Sequence, residues 1–328
     1  MYTKYKSEII REVYSKTQLD VANLVKSHTN DVIIPCSGEA AIEIATARCV
    51  LIPEVLLGGD LNIIRLNGCH DGGFFAYQLN GKRKVDIAKV AQGVSVVHLY
   101  GEHLKKVKVS YPSLKEQQKI SSFLALLDER IATQIKIIEK LESLIKGLCS
   151  SLFDKNKYDS FVRLGDISEI TNGNSDVQDA SLSYSDGMYP FFDRSEDIKF
   201  LPEYLLDKEA IIYPGEGSEF YPRYYNGKFA LHQRCYAIYD IAPNFATRYL
   251  YFFCKTQNSY FVRNAVGSTV ASLRLDTFKR LNIPNIPIEL QKTYVQLLDK
   301  IETKIVDNKT VLKKYEEQKR YLLSKMFI

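Results

Sequence analysis

Two stretches of the chain carry the same apolar spacing. Between 113 and 153 the apolar positions are Ile120, Leu124, Leu127, Ile131, Ile138, Leu141, Ile145, Leu148 and Leu152, in steps of four and three. Between 287 and 327 they are Tyr294, Leu298, Ile301, Ile305, Leu312, Tyr315, Leu322 and Met326. This heptad spacing, with no proline after the opening residues, predicts two long helices with coiled-coil seams. Each seam is broken at the same place, by Gln134 in the first and Asn308 in the second. A polar seam residue costs stability and fixes register, and antiparallel helices would bring these two together. Lys319 is a second departure from the seam, and Ile145 stands at its matching position.

The matching continues outside the helices. At an offset of 174, Gln117 falls on Gln291, Gly93 on Gly267, Leu99 on Leu273 and Lys105 on Lys279, and with a four-residue gap "DVIIPCSGE" (31–39) meets "EAIIYPGEG" (209–217). The chain is one module written twice. The stretches 31–112 and 161–286 are short runs of Val, Ile, Tyr and Phe broken by "SGE", "GGD", "NGK" and "NGN", a pattern that predicts strands and turns with some helix. The expected divisions are therefore a globular domain at 1–112, a helix at 113–157, a second globular domain at 158–286 and a second helix at 287–328. The fold class is α+β, or mixed α/β.

Composition changes this picture little. Of 328 residues, 45% are hydrophobic and 25% charged, as expected of a globular protein with two domains. The first 30 residues lack the apolar core of a signal peptide, and no apolar run reaches the length of a membrane span, so a cytoplasmic protein without a membrane partner is expected. The six cysteines show no C-x-x-C pair, which argues against a disulfide framework or zinc ribbon and for reduced core thiols. The net charge of +5 is unevenly spread: 160–219 holds 4 basic and 13 acidic residues, 220–283 holds 9 and 2. Such polarity suits oriented binding to a phosphate backbone.

Catalytic constellations are missing from the sequence. There is no G-x-x-x-x-G-K-[ST] loop, no pair of histidines at i, i+4 and no N/D-P-P-Y/F loop of an amino-methylating enzyme, the nearest string being "NIPNIP" (282–287). Glu302 and Lys304 could suggest a nuclease, but they fall on the charged face of the second helix. No catalytic residue, metal or cofactor is therefore expected. Nucleic-acid contacts are better represented. "YPRYYNGK" (221–228) sets Arg223 and Lys228 around tyrosines including Tyr224, "HQR" (232–234) supplies Gln233 and Arg234, and "NGKRK" (80–84) supplies Lys82, Arg83 and Lys84.

These features together resemble the specificity subunit of type I restriction-modification systems. The resemblance rests on "PSLKEQQKI…LLDERI" and its echo "IELQK…LLDKIETKI", on "GSTVASLRLDTFKRLNIPNIP", on "FVRLGDISEITNG" (161–173), and on the order domain, helix, domain, helix. It implies two target recognition domains that read a bipartite site in double-stranded DNA. It also implies an antiparallel, pseudo-twofold pair of spacer helices that docks two methyltransferase subunits, with restriction and translocase subunits joining indirectly. Ser268, Thr269 and Arg274, before the second helix, join the DNA-contact candidates. The family carries no catalytic residues of its own. One departure stands out: no counterpart of "FVRLGDISEITNG" precedes the first module, because Met1 aligns near 175–179 of the second, so the first recognition domain is expected to be N-terminally shortened. Three alternatives stay open: the recognition part of a single-chain restriction-methylation enzyme, a silent or recombining specificity cassette, and a coiled-coil adaptor with no DNA role.

Overall fold

The computed structural model describes residues 5–18 and 24–327. The fold is mixed α/β, with two long helices, Leu114–Leu152 and Ile288–Lys325, where the heptads predict them. Compact packing divides the chain through both helices: one unit holds Met1–Ile138 with Asp307–Ile328, the other Glu139–Val306. Among the described residues no helix is long and apolar enough to cross a membrane.

In the first unit, β1 (Ile9–Ile10), β2 (Asp31–Pro35), β3 (Arg48–Val50) and β4 (Leu61–Ile64) form a sheet of order β1-β3-β2-β4. The β1–β3 pair is parallel and the rest antiparallel. All of β2 is buried, with Val32 and Ile34 facing one cluster and Ile33 another. On the Val32 side lies the helix Gly72–Asn80, which Asp71 starts by accepting the Phe74 N–H at 2.7 Å. Leu124 and Ala125 of the first long helix and Phe327, just past the second, close this core. The two helices run antiparallel here. Asp128 meets Lys319, and six residues further along the first helix the Gln134 side-chain amide donates to Asn308, reaching its carbonyl at 3.3 Å.

Lys319 is not an idle defect in the seam. It is largely buried, 2.6 Å from Glu8 and 2.5 Å from Asp128, and Asp128 also accepts the Tyr77 hydroxyl at 2.8 Å. Nearby Arg48, itself buried, donates to the carbonyls of Tyr5 and Ala47. Burial opposes charge on all these groups. For Glu8 it is outweighed by Lys319, and its carboxyl falls below the usual range; for Asp128 burial and the neighbouring Glu8 win, and its carboxyl is raised.

In the second unit, β5 (Glu169–Asn172), β6 (Tyr189–Phe192), β7 (Lys199–Leu201), β8 (Leu206–Pro214), β9 (Arg223–Leu231) and β10 (Cys235–Tyr239) form a sheet of order β7-β6-β9-β8-β10-β5. Only β6–β9 is parallel. The sheet has two buried faces, so its inner strands read as continuous apolar runs. Ile211, Tyr213, Tyr236 and Ile238 pack on the helix Thr247–Lys255 and the long helices, while Phe192, Ile212, Phe229, Leu231 and Ala237 fill a separate core.

The repeat is visible in the backbone. Gly93 and Gly267 both have positive φ, 121° and 113°, and each opens a turn closed by a bridge, Gln92 to His98 and Val266 to Ser272. The buried Gln117 accepts the Asp71 N–H and donates to the Pro112 carbonyl; the buried Gln291 accepts the Ala246 N–H and donates to the carbonyls of Asn244 and Ile286. Each glutamine thus ties the start of a long helix to the start of the domain helix. In one strand the register differs from the sequence alignment. Ser37 pairs with His98 where Glu216 pairs with Ser272, so β2 lies on β8 with a five-residue gap rather than four. That single step matters, because it places Val32 and Ile34 on the same face as Ile211 and Tyr213.

Of the six cysteines, Cys49, Cys149, Cys235 and Cys254 are buried as expected, whereas Cys69 is exposed. Burial pushes the Cys149 and Cys235 thiols up to about 11, so they remain protonated.

Two outcomes follow for purified protein. Gln291→Ala strands the Ala246 N–H and two carbonyls and should cost about 2–3 kcal/mol in denaturant unfolding. Lys319→Met leaves Glu8 and Asp128 facing each other without a cation, at a cost of about 3–5 kcal/mol near neutral pH. Both carboxyls would then titrate above their unfolded values. The penalty should therefore be small below the unfolded carboxylate range and grow as pH rises, so the melting-temperature gap to wild type should be wider at pH 7.5 than at pH 5.

Candidate nucleic-acid interface

One end of the second unit gathers four loops. The turn 232–234 joins β9 to β10, the loop 215–219 follows β8, the segment 173–176 follows β5, and 264–274 precedes the short helix Leu275–Lys279. Backbone hydrogen bonds fasten them together: Gln233 N–H to the Ser175 carbonyl at 3.0 Å, Gly217 N–H to Ala271 at 3.0 Å and Leu273 N–H to Gly215 at 2.8 Å. The approach is close enough to require glycine. A Cβ on Gly173 would stand 2.0 Å from the Leu231 carbonyl oxygen, and one on Gly215 would stand 2.0 Å from that of Arg234.

A cleft of about 510 Å³ opens among these loops, lined by Asp176, Asp193, Arg194, Lys199, Glu216, His232, Gln233 and Arg234. Arg234 is 62% exposed and its guanidinium meets Glu216 at 2.6 Å, while Glu216 also accepts the Ser272 hydroxyl at 3.3 Å. That hydrogen bond raises the Arg234 pKa and lowers that of Glu216, so both stay charged. Gln233 donates to Asp176 at 3.3 Å. Deeper in the cleft, burial works against charge on Asp193, but Lys199 at 2.5 Å and the N–H and hydroxyl of Ser195 outweigh it and hold the carboxyl low.

The residues picked from the sequence fall into three groups. Gln233 and Arg234 line the cleft; Ser268, Thr269 and Arg274 are exposed on the loop joined to it through Ser272. Arg223 lies behind the cleft, half-buried against Phe192, where its guanidinium donates to the Asp193 and Ser195 carbonyls and supports the loop. Elsewhere lie Tyr224, whose hydroxyl donates to Glu209 under the Arg248 guanidinium, and Lys228, exposed over the Tyr204 ring at 4.8 Å. In the first unit, Lys82, Arg83 and Lys84 follow the end of the helix Gly72–Asn80, where Gly81 abuts the Leu323 carbonyl; they are not on the strand turn that matches 232–234, which is 51–60.

Arg194, Lys199, Asp193 and Glu216 were missed, because "DRSEDIK" and "GEG" carry no recognisable spacing and become neighbours only through the strand order of the sheet. The charge polarity has a partly internal explanation. Of the nine basic residues in 220–283, Arg248 and Lys255 pair with Asp299 and Glu302, Arg280 with Asp276 and Arg234 with Glu216. Glu302 accordingly works as a half-buried anchor for the domain helix. Among the described residues no cluster of His, Cys, Asp and Glu is arranged to hold a metal ion.

A globular unit that runs into a long helix occurs twice in the chain, and the second of these units carries a loop-built cleft rich in charged and amide side chains. The chain belongs to the family of the type I restriction modification DNA specificity domain, whose sequence profile matches residues 5–143 and again 157–316. Its fold is similar to the crystal structure of a type I restriction-modification S subunit from M. genitalium, with a TM-score of 0.70 and 16% identity over 99% of this chain and 89% of that one. It is also similar, with a TM-score of 0.55 and 15% identity over 91% and 81% of the two chains, to a chain from a study of complex assembly and conformational transition in the type I R-M system.

The two arginines of the sequence motif should separate on substitution. Arg223→Ala removes the guanidinium nitrogen that donates to the Asp193 and Ser195 carbonyls and should cost about 1–3 kcal/mol in thermal or denaturant unfolding. Arg234→Ala, exposed and paired at the surface, should leave the unfolding midpoint unchanged.

Proposed function

We propose that the chain is the non-catalytic DNA-reading subunit of a type I restriction-modification complex: it binds a bipartite site in double-stranded DNA, one half per domain, and docks two methyltransferase subunits that act there, with restriction and translocase subunits joining through them. The observation that carries this reading is the double match to the specificity domain in one chain, each copy running into a long helix. The cleft of the second unit supports it. Arg234 and Gln233 have the donor groups that read purine edges, the polar tip at Ser268 and Thr269 suits phosphate contact, and Arg274 and Lys228, both exposed, add positive charge. The modest net charge of +5 fits tight binding only in the assembled complex, because non-specific affinity scales with the phosphates neutralised.

The helices would act as the spacer between half-sites, and this gives the test. One heptad inserted after Gln134 together with one after Asn308 lengthens each helix by roughly 10 Å and keeps the seam in phase. In cells that carry the partner subunits, sequencing of methylated positions should return the same two half-sites with a gap longer by about three base pairs. An unchanged gap, or altered half-sites, would remove the helices as the ruler; the absence of any two-part methylated motif from the wild-type strain would remove the function. In the assembled complex, Arg234→Ala should weaken binding to the cognate site by roughly five- to a hundredfold and relax one half-site, whereas Lys228→Ala should weaken all sequences alike.

A further inference from the structure

The two units differ at one edge. In the second unit β5 pairs with the outer edge of β10, with Ile170 opposite Ile238, and a strand Phe161–Arg163 pairs with Asn282–Pro284, with Val162 opposite Ile283. The turn between them packs closely: Leu164 donates its N–H to the Leu281 carbonyl at 2.9 Å, and a Cβ on Gly165 would stand 2.9 Å from the Lys279 side chain. Leu164 and Ile167 are buried against Phe278 and Leu281. This strand–turn–strand segment is one wall of the domain.

In the first unit the receiving surface exists without that wall. Strand β4 corresponds to β10, because Ile64 stands opposite Val32 as Ile238 stands opposite Ile211. The offset of 174, fixed locally by Gly93 and Gly267, makes Lys105, Val107 and Val109 the counterparts of Lys279, Leu281 and Ile283. Among the described residues nothing pairs with the outer edge of β4, and 108–110 form no strand. Between them lies an apolar groove of about 360 Å³, lined by Ile64, Leu104, Lys105, Val107 and Val109 among others, with Val109 37% exposed. The chain's own N-terminal strand does not fill it, since β1 sits at the opposite edge of the sheet.

We propose that this groove is a binding site for a strand–turn–strand segment of the Phe161–Asn172 type, with apolar residues in both its strands and its turn. One strand of the segment would extend the sheet along β4, the other would pair with 108–110, and the leucine and isoleucine of the turn would enter the groove. The second unit states the chemistry of the occupant: apolar side chains at the positions of Val162, Leu164, Ile167 and Ile170, and glycine at that of Gly165, where the Lys105 counterpart leaves no room for a Cβ. An open sheet edge beside an apolar groove is a surface that favours such pairing.

The probe is a fluorescein-labelled peptide with residues 160–173, SFVRLGDISEITNG, titrated with the full chain and followed by anisotropy. Saturable binding is expected, weakened at least tenfold when the peptide carries Leu164→Asp and Ile167→Asp, changes that leave the protein untouched. A photo-crosslinking residue at the Val162 position should attach near Val109, and one at the Ile170 position near Ile64. Absence of saturable binding, or equal binding of the two peptides, overturns the proposal. So do crosslinks near Ile238 and Ile283, which would mean strand exchange into the second unit, and self-association of the chain that competes with the peptide, which would assign the groove to a second copy. None of these readouts involves DNA, so failure of the DNA-reading function leaves the result intact.

Discussion

Each sheet-bearing unit depends on a helix it cannot cover alone. Gly72–Asn80 and Thr247–Lys255 are buried along almost their whole length, and one flank of each meets the sheet while the other needs the long helices. A single buried glutamine at the start of each long helix fixes that meeting, Gln117 for the first and Gln291 for the second. Because the amide satisfies main-chain groups at the start of the domain helix and in the preceding turn, domain and strut are set at one angle. Neither glutamine has an apolar substitute that keeps those groups bonded.

The same logic separates a fixed frame from projecting side chains in the second unit. The glycines at 173 and 215 let three loops touch through their main chains, which leaves side chains such as Gln233 and Arg234 projecting from a stiff frame. Arg223 belongs to the frame in spite of its charge, since its guanidinium is spent on carbonyls of the 193–195 loop. Carboxylates set beside the two donors, Glu216 at the Arg234 guanidinium and Asp176 at the Gln233 amide, hold these side chains in place.

Legibility in the sequence followed the range of the interactions. Heptad spacing reports contacts one turn apart, and it located both helices and the paired Gln134 and Asn308. The repeat exposed Gln117 and Gln291 as matched residues, though the spacing alone carried no hint of what they bond. The cleft was half legible. "HQR" is a contiguous turn and stood out, while Arg194 and Lys199 are distant in the chain from Glu216 and from "HQR" and meet them only through the strand order of the sheet. "NGKRK" shows the opposite case: its charges are adjacent in sequence and stand apart from any strand turn, because they follow a helix that ends against the second long helix, and Arg83 turns to Asp86. The one-residue difference in the β2 register was hidden because "VII" and "AII" align equally well in either phase, and only the face on which each isoleucine lands distinguishes them.

The charge cluster at Lys319 bears on how such a chain can change over generations. A gene written as one module twice invites exchange between its halves, and most seam positions would survive it, since Leu148 and Leu322 or Ile131 and Ile305 are near equivalents. Position 319 would not. A helix carrying the Ile145 side chain at that place would close over Glu8 and Asp128 with nothing to neutralise them, and a helix carrying lysine at 145 would bring a cation into an apolar cluster of Cys149, Leu298 and Ile301. The seam therefore marks which strut belongs to which domain, and reshuffling the modules is restricted to exchanges that respect that mark.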